Sequence, residues 1–435
     1  MNRKGTARSL AAIILCALLI SCRVGPQAAR ADVPQDRDIV DLIAAGQTEA
    51  AFDLLASTNP TAEDLLFFRG RVLKAEGQFD AAIAVFREVI EREPRYINAR
   101  RELAHTLLLN RSFEASEFHF RELLRSDTDM EQRDGYWRFL DLIDRERPFG
   151  VSAQFALLPS TNVNRGSSRS IFDPGNPDIP PLRITNRSEA GVGVLLGLSG
   201  FYRQPFADRF RWSLDWGLHG RKYQNTDYDS VTASLRTGVE RRLDRSRWSF
   251  GAFTRASLRS DDEDIRVLGL DGNIERSVGP RSSLFLNAIY EDRRYPNLDG
   301  SDGPFYSAQL GLSRLIRPDT RLVFGSRLDA NRPDTRHLGY DGYAVFGHVF
   351  RDWRRGLATE TGLEFGARRY RGDFPLTDNR RADDFIRIDT TVHTPRWSIR
   401  GFTPTTTCSY TRNFSNVAFF DYDVAECHLS FVKRY

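Results

Sequence analysis

The chain has 435 residues, too many for one ordinary domain, and its 40% hydrophobic content with mean hydropathy −0.45 implies much polar surface. A membrane barrel buries apolar side chains on only one face of each strand, so this average does not exclude a membrane protein. The formal charge of +4 falls to near −1 without the first 31 residues, where Arg3, Lys4, Arg8, Arg23 and Arg30 have no acid to offset them, leaving 57 basic against 58 acidic residues, a balance that argues against nucleic-acid binding.

At the N-terminus Arg3, Lys4 and Arg8 precede an apolar run from Leu10 to Ile20, too short to span a bilayer as a stable helix. This pattern reads as an export signal. Two processing sites compete: Ala29-Arg30-Ala31 fits cleavage after Ala31, the favoured reading, and Leu19-Ile20-Ser21-Cys22 fits a lipobox that would acylate Cys22. No later stretch reaches ~18 consecutive apolar residues, so any membrane span of the mature chain has to be β. Export also places Cys408 and Cys427 where disulfides are permitted.

From Asp36 to Arg147 the pattern is helical, with a period of 34 residues. Gly70, Phe79, Ala82, Phe86 and Pro94 stand where a tetratricopeptide repeat places its small residue, turn aromatic, second-helix packing residues and terminating proline. Ala104, Phe113, Ser116, Phe120 and Thr128 follow at the same spacing, with Asp127 available as an N-cap in place of the proline. Upstream, Leu42 to Gln47 followed by Ala50-Ala51-Phe52 echoes the Gly77-Gln78 turn and marks a degraded first copy. The phenylalanines are expected as inter-helix core, which leaves any function to the exposed groove of the stack.

Pro148-Phe149-Gly150 ends the helices, and the period changes from 3.6 to 2. In Phe210-Arg211-Trp212-Ser213-Leu214-Asp215-Trp216-Gly217-Leu218 one face is wholly apolar and the other polar, and the same alternation recurs to the C-terminus. Fourteen strands are expected, from 151–157 to 422–434, joined alternately by tight turns and longer polar loops, as in bacterial outer-membrane barrels. The fold class is therefore α plus membrane β: a signal peptide at 1–31, a periplasmic tetratricopeptide-like repeat domain at 32–148, and an antiparallel transmembrane β-barrel at 149–435. Both barrel ends and the repeats then face the periplasm. Tyr202, Tyr223, Tyr290, Tyr295, Tyr370 and Tyr410 are placed for interfacial girdles. A soluble β-sandwich is disfavoured by the strand lengths and by the aromatic C-terminus.

Inward positions of the strands include Arg211, Asp215, Arg236, Glu240, Arg255, Arg327 and Glu364, which give a polar lumen of mixed charge. Mutual pairing is the favoured role for them, because charges removed from water need partners. Cys408 and Cys427 lie at equal distances from the last loop and could face one another, although two small unlinked wall residues is the favoured reading. Catalytic patterns fail: the seven histidines show no metal-binding spacing, Glu102 with His105 reads as a solvated helix face, and neither a nucleophile elbow nor a phosphate loop occurs. No cofactor and no metal site is expected, and the protein reads as a non-enzyme.

The organisation resembles the surface lipoprotein assembly modulator (Slam) family, in which tetratricopeptide repeats precede a C-terminal outer-membrane barrel. The likeness is most specific in Leu158-Pro159-Ser160-Thr161-Asn162-Val163-Asn164, whose Pro159, Asn162 and Asn164 look like the family's motif at the barrel entrance, and in the hairpin from Ser409 to Asn416 leading to Tyr435. Read from the residues alone, the asparagines serve a turn or shape a loop entering the lumen. The resemblance implies an outer-membrane translocon that moves client proteins, often lipoproteins, to the cell surface. Its expected partners are outer-membrane lipid, a client or its periplasmic chaperone, and the barrel assembly machinery that inserts it. The alternative is an exopolysaccharide export porin with a periplasmic repeat domain.

Overall fold

The computed structural model describes residues 35–174, 180–207, 209–243, 245–261, 263–375, 377, 379–394 and 402–434. The candidate processing sites at Ala31 and Cys22, the turn at 395–397 and Tyr435 lie outside the described residues.

The chain forms two compact units, divided after Thr61. In the first, α1 (Gln35–Ala44) and α2 (Thr48–Ala56) make a helical hairpin around Gly46, whose φ of 75° is a left-handed conformation that glycine adopts without strain. The second unit begins with α3 (Ala62–Ala75), α4 (Phe79–Arg92), α5 (Ile97–Leu109), α6 (Phe113–Ser126) and α7 (Met130–Glu146).

Apolar residues of α4 recur at helical spacing, so Ala82, Ile83, Phe86 and Val89 fall on one stripe and are buried against Phe67, Ala99, Leu103 and Leu107. Gly70 on α3 is what lets Phe86 in: a Cβ there would stand 2.5 Å from the ring. The next layer repeats the scheme, with Phe120 and Leu123 packed on Ala104, Tyr136, Leu140 and Ile143. Truncating fully buried Phe86 or Phe120 to alanine costs about 3–5 kcal/mol by the usual cavity penalty. The glycine of the inter-helix turn is present at Gly77, with φ 75°, but 34 residues later Arg111 holds φ 58° in its place.

Only Arg147 and Pro148 separate α7 from the first strand. The wall then runs through β1 (Phe149–Ser160), β4 (Gly191–Ala207), β5 (Phe210–Tyr223), β6 (Ser230–Leu243), β7 (Ser246–Arg259), β8 (Ile265–Gly279) and β9 (Ser282–Arg294). It continues through β10 (Gly303–Arg317), β11 (Thr320–Asn331), β12 (Tyr340–Asp352), β13 (Ala358–Asp373), β14 (Arg380–His393), β15 (Thr403–Ser415) and β16 (Tyr422–Arg434). These fourteen strands pair antiparallel with their neighbours, and β1 closes on β16. The two-residue strands β2 (Ile171–Phe172) and β3 (Leu182–Arg183) form a small separate sheet in the loop after β1.

Closure decides what the alternation means. Leu196 is 63% exposed, Leu268 65% and Leu328 63%, and their like-facing neighbours Leu218, Leu270, Leu310 and Val345 are also bare. An apolar belt of this extent around a closed barrel is covered by lipid, not water. At the short-turn rim the outward Tyr202 and Trp212 lie 5.7 Å apart, and Phe210 and Trp248 6.3 Å, forming an aromatic girdle. Two of the expected girdle residues are corrected: Tyr223 pairs with Gly193, and Tyr370 with Tyr340, on the lumenal parity of their strands. Among the described residues no helix is long and apolar enough to cross a membrane.

Candidate functional site: the lumen and its two mouths

Among the described residues, the ion pairs between the wall and the helical segment Phe79–Glu146 are on the short-turn side. At one rim, Arg203 of β4, Arg211 of β5 and Arg242 of β6 converge on the last two helices. Asp144 of α7 is buried and stands 2.9 Å from Arg211, 3.7 Å from Arg242 and 3.9 Å from Arg203. Glu117 of α6 binds Arg203 at 2.7 Å, and Asp141 of α7 hydrogen-bonds Arg242, whose guanidinium also lies 4.6 Å from the Trp137 ring centre. From the wall, Glu240 completes the network, 3.1 Å from Arg211 and 2.6 Å from Arg242. Burial pushes the Glu117 carboxyl up, but Arg121 and Arg203 outweigh it and hold the group below the usual carboxylate range. For Asp141 burial prevails over Arg242, and its pKa is raised.

A second mooring lies elsewhere on the same mouth. Arg95, between α4 and α5, binds Asp319 at 2.8 Å; Arg100 of α5 binds Asp352 at 2.7 Å; Glu93 lies 3.6 Å from Arg354. Asp319 sits in the β10–β11 turn and Asp352 and Arg354 at the β12–β13 turn. In the order of the ring, β5 and β12 are seven strands apart out of fourteen, diametrically opposed. The helices are therefore fastened to both sides of the short-turn mouth and bridge it. No sequence motif announces this arrangement, since Asp144 and Arg211 are 67 residues apart.

The wall residues singled out in the sequence share the parity of these mouth arginines, opposite to the belt. They fall into two groups. Arg211 and Glu240 belong to the rim network. Arg236 binds Asp271 at 2.6 Å and lies 3.7 Å from Asp215; Arg255 lies 3.4 Å from Glu291; Arg327 binds Glu364 at 2.6 Å and Asp329 at 3.0 Å. Between the charges, inward aromatic rings lie flat on glycines of the next strand: Phe253 covers Gly269 and Phe285 covers Gly311, where any Cβ would collide with the ring. The rings thus line the wall without projecting across the lumen.

At the other mouth, residues 161–174 and 180–190 fold over the barrel end. Phe172, Ile184, Val417 and Ala418 are buried together, with Phe374, Phe419 and Phe420 packed against them, so that three loops share one small core. Asn162 organises it. Its side-chain amide donates to the Gly166 carbonyl at 2.9 Å and the Asp423 carbonyl at 3.0 Å and accepts from the Gly166 amide at 2.8 Å. Asn164 donates to Asn186 and the Arg187 carbonyl at 2.8 and 2.7 Å. Pro159 remains in β1, paired with Val192. All three lie at the end of the barrel remote from the helices. Cys408 and Cys427 oppose each other across β15 and β16 and are joined in a disulfide, which corrects the reading as unlinked wall residues. The repeat positions Gly70, Phe79, Ala82, Phe86 and Pro94 serve the helix stack; Gly70, Ala82, Phe86 and Pro94 are buried and Phe79 is half-buried. Among the described residues no group of histidines, cysteines and acids could hold a metal ion.

A closed fourteen-stranded barrel with an apolar belt, bridged at one mouth by helical repeats, is an outer-membrane β-barrel carrying a tetratricopeptide-like domain. A family model described as Surface lipoprotein assembly modifier matches residues 151–435, and one described as Tetratricopeptide repeat matches residues 73–133. The chain belongs to the surface lipoprotein assembly modifier family and is a protein of the outer membrane. It is similar to a Surface lipoprotein assembly modifier of Pasteurella multocida, with 21% identity over 89% of this chain and 79% of the relative. With Surface lipoprotein assembly modifier 2 of Haemophilus influenzae it shares 23% identity over 86% of this chain and 78% of the relative. Among solved structures, a bacterial polysaccharide outer membrane secretin matches with a TM-score of 0.38 at 11% identity, over 65% of this chain and 98% of that one, a likeness too loose to distinguish one barrel function from another. Family and fold are those of a transport or assembly protein.

Proposed function

We propose that this protein is an outer-membrane translocon that delivers particular client proteins, surface lipoproteins or secreted proteins, from the periplasm to the cell surface. The observation that carries this reading is the bridge of repeats across the short-turn mouth, in a chain whose relatives are named for surface lipoprotein assembly. Short turns face the periplasm in bacterial barrels, so a client arriving there meets the helices first. A repeat stack that holds the client or its chaperone at the mouth raises its effective concentration at the lumen. The mixed charges of the wall present a polar path, and their mutual pairing keeps that path free of strong attraction to either sign of client. In this scheme residues 1–31 are removed on export, 32–148 dock the client, 149–435 form the barrel, and the barrel assembly machinery inserts it among outer-membrane lipids. The role assigned is transport, with no catalytic step.

The test is depletion of the protein followed by protease shaving and mass spectrometry of the cell surface. Loss of one or a few specific proteins, restored by the full chain, is the expected result. An unchanged surface proteome with reduced extracellular polysaccharide would replace this reading with polysaccharide export.

A further inference from the structure

The seam where β1 meets β16 differs from the rest of the wall. Pairing runs from Ser152 with Arg434 to Leu157 with Leu429, omits Leu158 and Pro159, and resumes only at Ser160 with Glu426. On its other side the same strand pairs with β4 without a break, from Phe149 with Tyr202 to Ser160 with Gly191. Proline cannot donate to a ladder and is confined to edges and bulges, so Pro159 gives β1 an edge toward β16 inside a nominally closed ring. Lumenal chemistry agrees. Elsewhere inward ion pairs cross from strand to strand, but among the described residues none joins β1 to β16. At the middle of the seam the inward side chains Ala156 and Ser430 are small and uncharged, with Glu426 inward only where pairing resumes at Ser160, and the outward ones are apolar, Phe155, Leu157, Leu429 and Phe431.

Both flanks are reinforced. β16 is stapled to β15 by the Cys408–Cys427 disulfide at the level where β1 fails to pair. β1 is tied to β4 along its full length and, through α7, to the arginines of β4, β5 and β6. β1 and β16 are thus each paired over a longer stretch with their other neighbour than with one another.

From this geometry we infer that the β1–β16 seam is a lateral slit through which the acyl chains of a lipidated client cross the outer membrane while its polypeptide occupies the lumen. The inference rests on the translocon reading. Acyl chains are favoured in lipid by every CH₂ they bury, an advantage they would forfeit in a lumen lined by arginines and carboxylates. A slit whose lumenal face is uncharged at its middle and whose outer face is apolar keeps the chains in the bilayer. Asn162, bonded to the Asp423 carbonyl, and Thr161, bonded through its amide to the Ala425 carbonyl, close the slit at its outer end.

The test locks the seam in the full-length protein. A156C with S430C links β1 to β16, and S152C with S199C, at a pair whose hydroxyls lie 2.8 Å apart, links β1 to β4 as the control. Folding of both variants is checked by heat-modifiable migration. Surface display is measured for a lipidated client and for the same client with its acylated cysteine replaced. The oxidised seam lock is expected to reduce display of the lipidated client at least tenfold, reversibly with reductant, and to leave the unlipidated form and the control unaffected. Normal display of the lipidated client through the locked seam overturns the slit, as does equal loss of both client forms. A wild-type protein on which neither form depends overturns the translocon reading instead.

Discussion

Replacing Asp144 with alanine measures what holds the helices to the mouth. Asp144 is buried on α7 and lies within 4 Å of all three rim arginines. Its removal leaves buried Arg211 with Glu240 as its remaining carboxylate, while Arg242 keeps Asp141 and Glu240. Deleting one member of a buried pair costs about 3–5 kcal/mol, chiefly the penalty of the charge left behind. Because Glu240 stays, the lower end of that range applies, and about 3 kcal/mol raises the open population of the docked helices roughly 100-fold. Hydrogen exchange of α6 and α7 in detergent reads this directly. The barrel strands should keep wild-type protection, while amides of α6 and α7 lose about two orders of magnitude. Arg354→Ala is the control, since its contact with Glu93 spans 3.6 Å between side chains 76% and 36% exposed and is worth little. Removing Arg211 as well should restore part of the loss. Wild-type exchange in Asp144→Ala, or an effect no larger than that of Arg354→Ala, would refute the mooring.

Burial, then Arg100 and Arg87, hold the His119 imidazole down at about 3, so the folded α6 keeps it neutral while the unfolded chain protonates near 6.5. Stability of the helical part should then be independent of this group above pH 6.5 and fall by roughly 1.4 kcal/mol per pH unit below it, down toward pH 3; His119→Asn should flatten that slope in acid titrations followed by circular dichroism. Asn162→Ala removes the side-chain donor to the Gly166 and Asp423 carbonyls and leaves the Gly166 amide with Asn164 Oδ1 at 3.1 Å, a loss of about 1–3 kcal/mol, and should make the loop after β1 cleavable from outside intact cells. Arg111→Gly relieves a left-handed residue whose ion pair with Glu146 is exposed, and should stabilise the repeats by about 1 kcal/mol in thermal melts.

Period-2 alternation sufficed to place the strands because a closed barrel leaves every strand one lipid face and one lumenal face, so Trp212, Leu214 and Trp216 cannot share a side with Arg211 and Asp215. The 34-residue period sufficed for the helices because Gly70 and Phe86 have to meet. Loop structure was hidden. Between Ser160 and Arg187 the apolar residues Phe172 and Ile184 follow no period, and their partners, Val417 and Ala418, lie about 240 residues on. Tyr223 and Tyr370 show that a tyrosine near a strand end is not sufficient for a girdle, since parity decides which way it faces. The rim network was legible only in part: Arg211 and Glu240 were visible as inward charges, but nothing local to them points to Asp144.

The helical bridge also acts as a gauge. Its near contacts require β4, β5 and β6 to be side by side, and its far contacts require the β10–β11 and β12–β13 turns to stand at a fixed distance across the ring. A barrel that closed with the wrong number of strands, or stalled before β10, could satisfy one set of arginines and carboxylates but not both. The repeats therefore check the circumference of the wall that follows them in the chain, and an unfinished barrel is left with Arg95 and Arg100 uncovered.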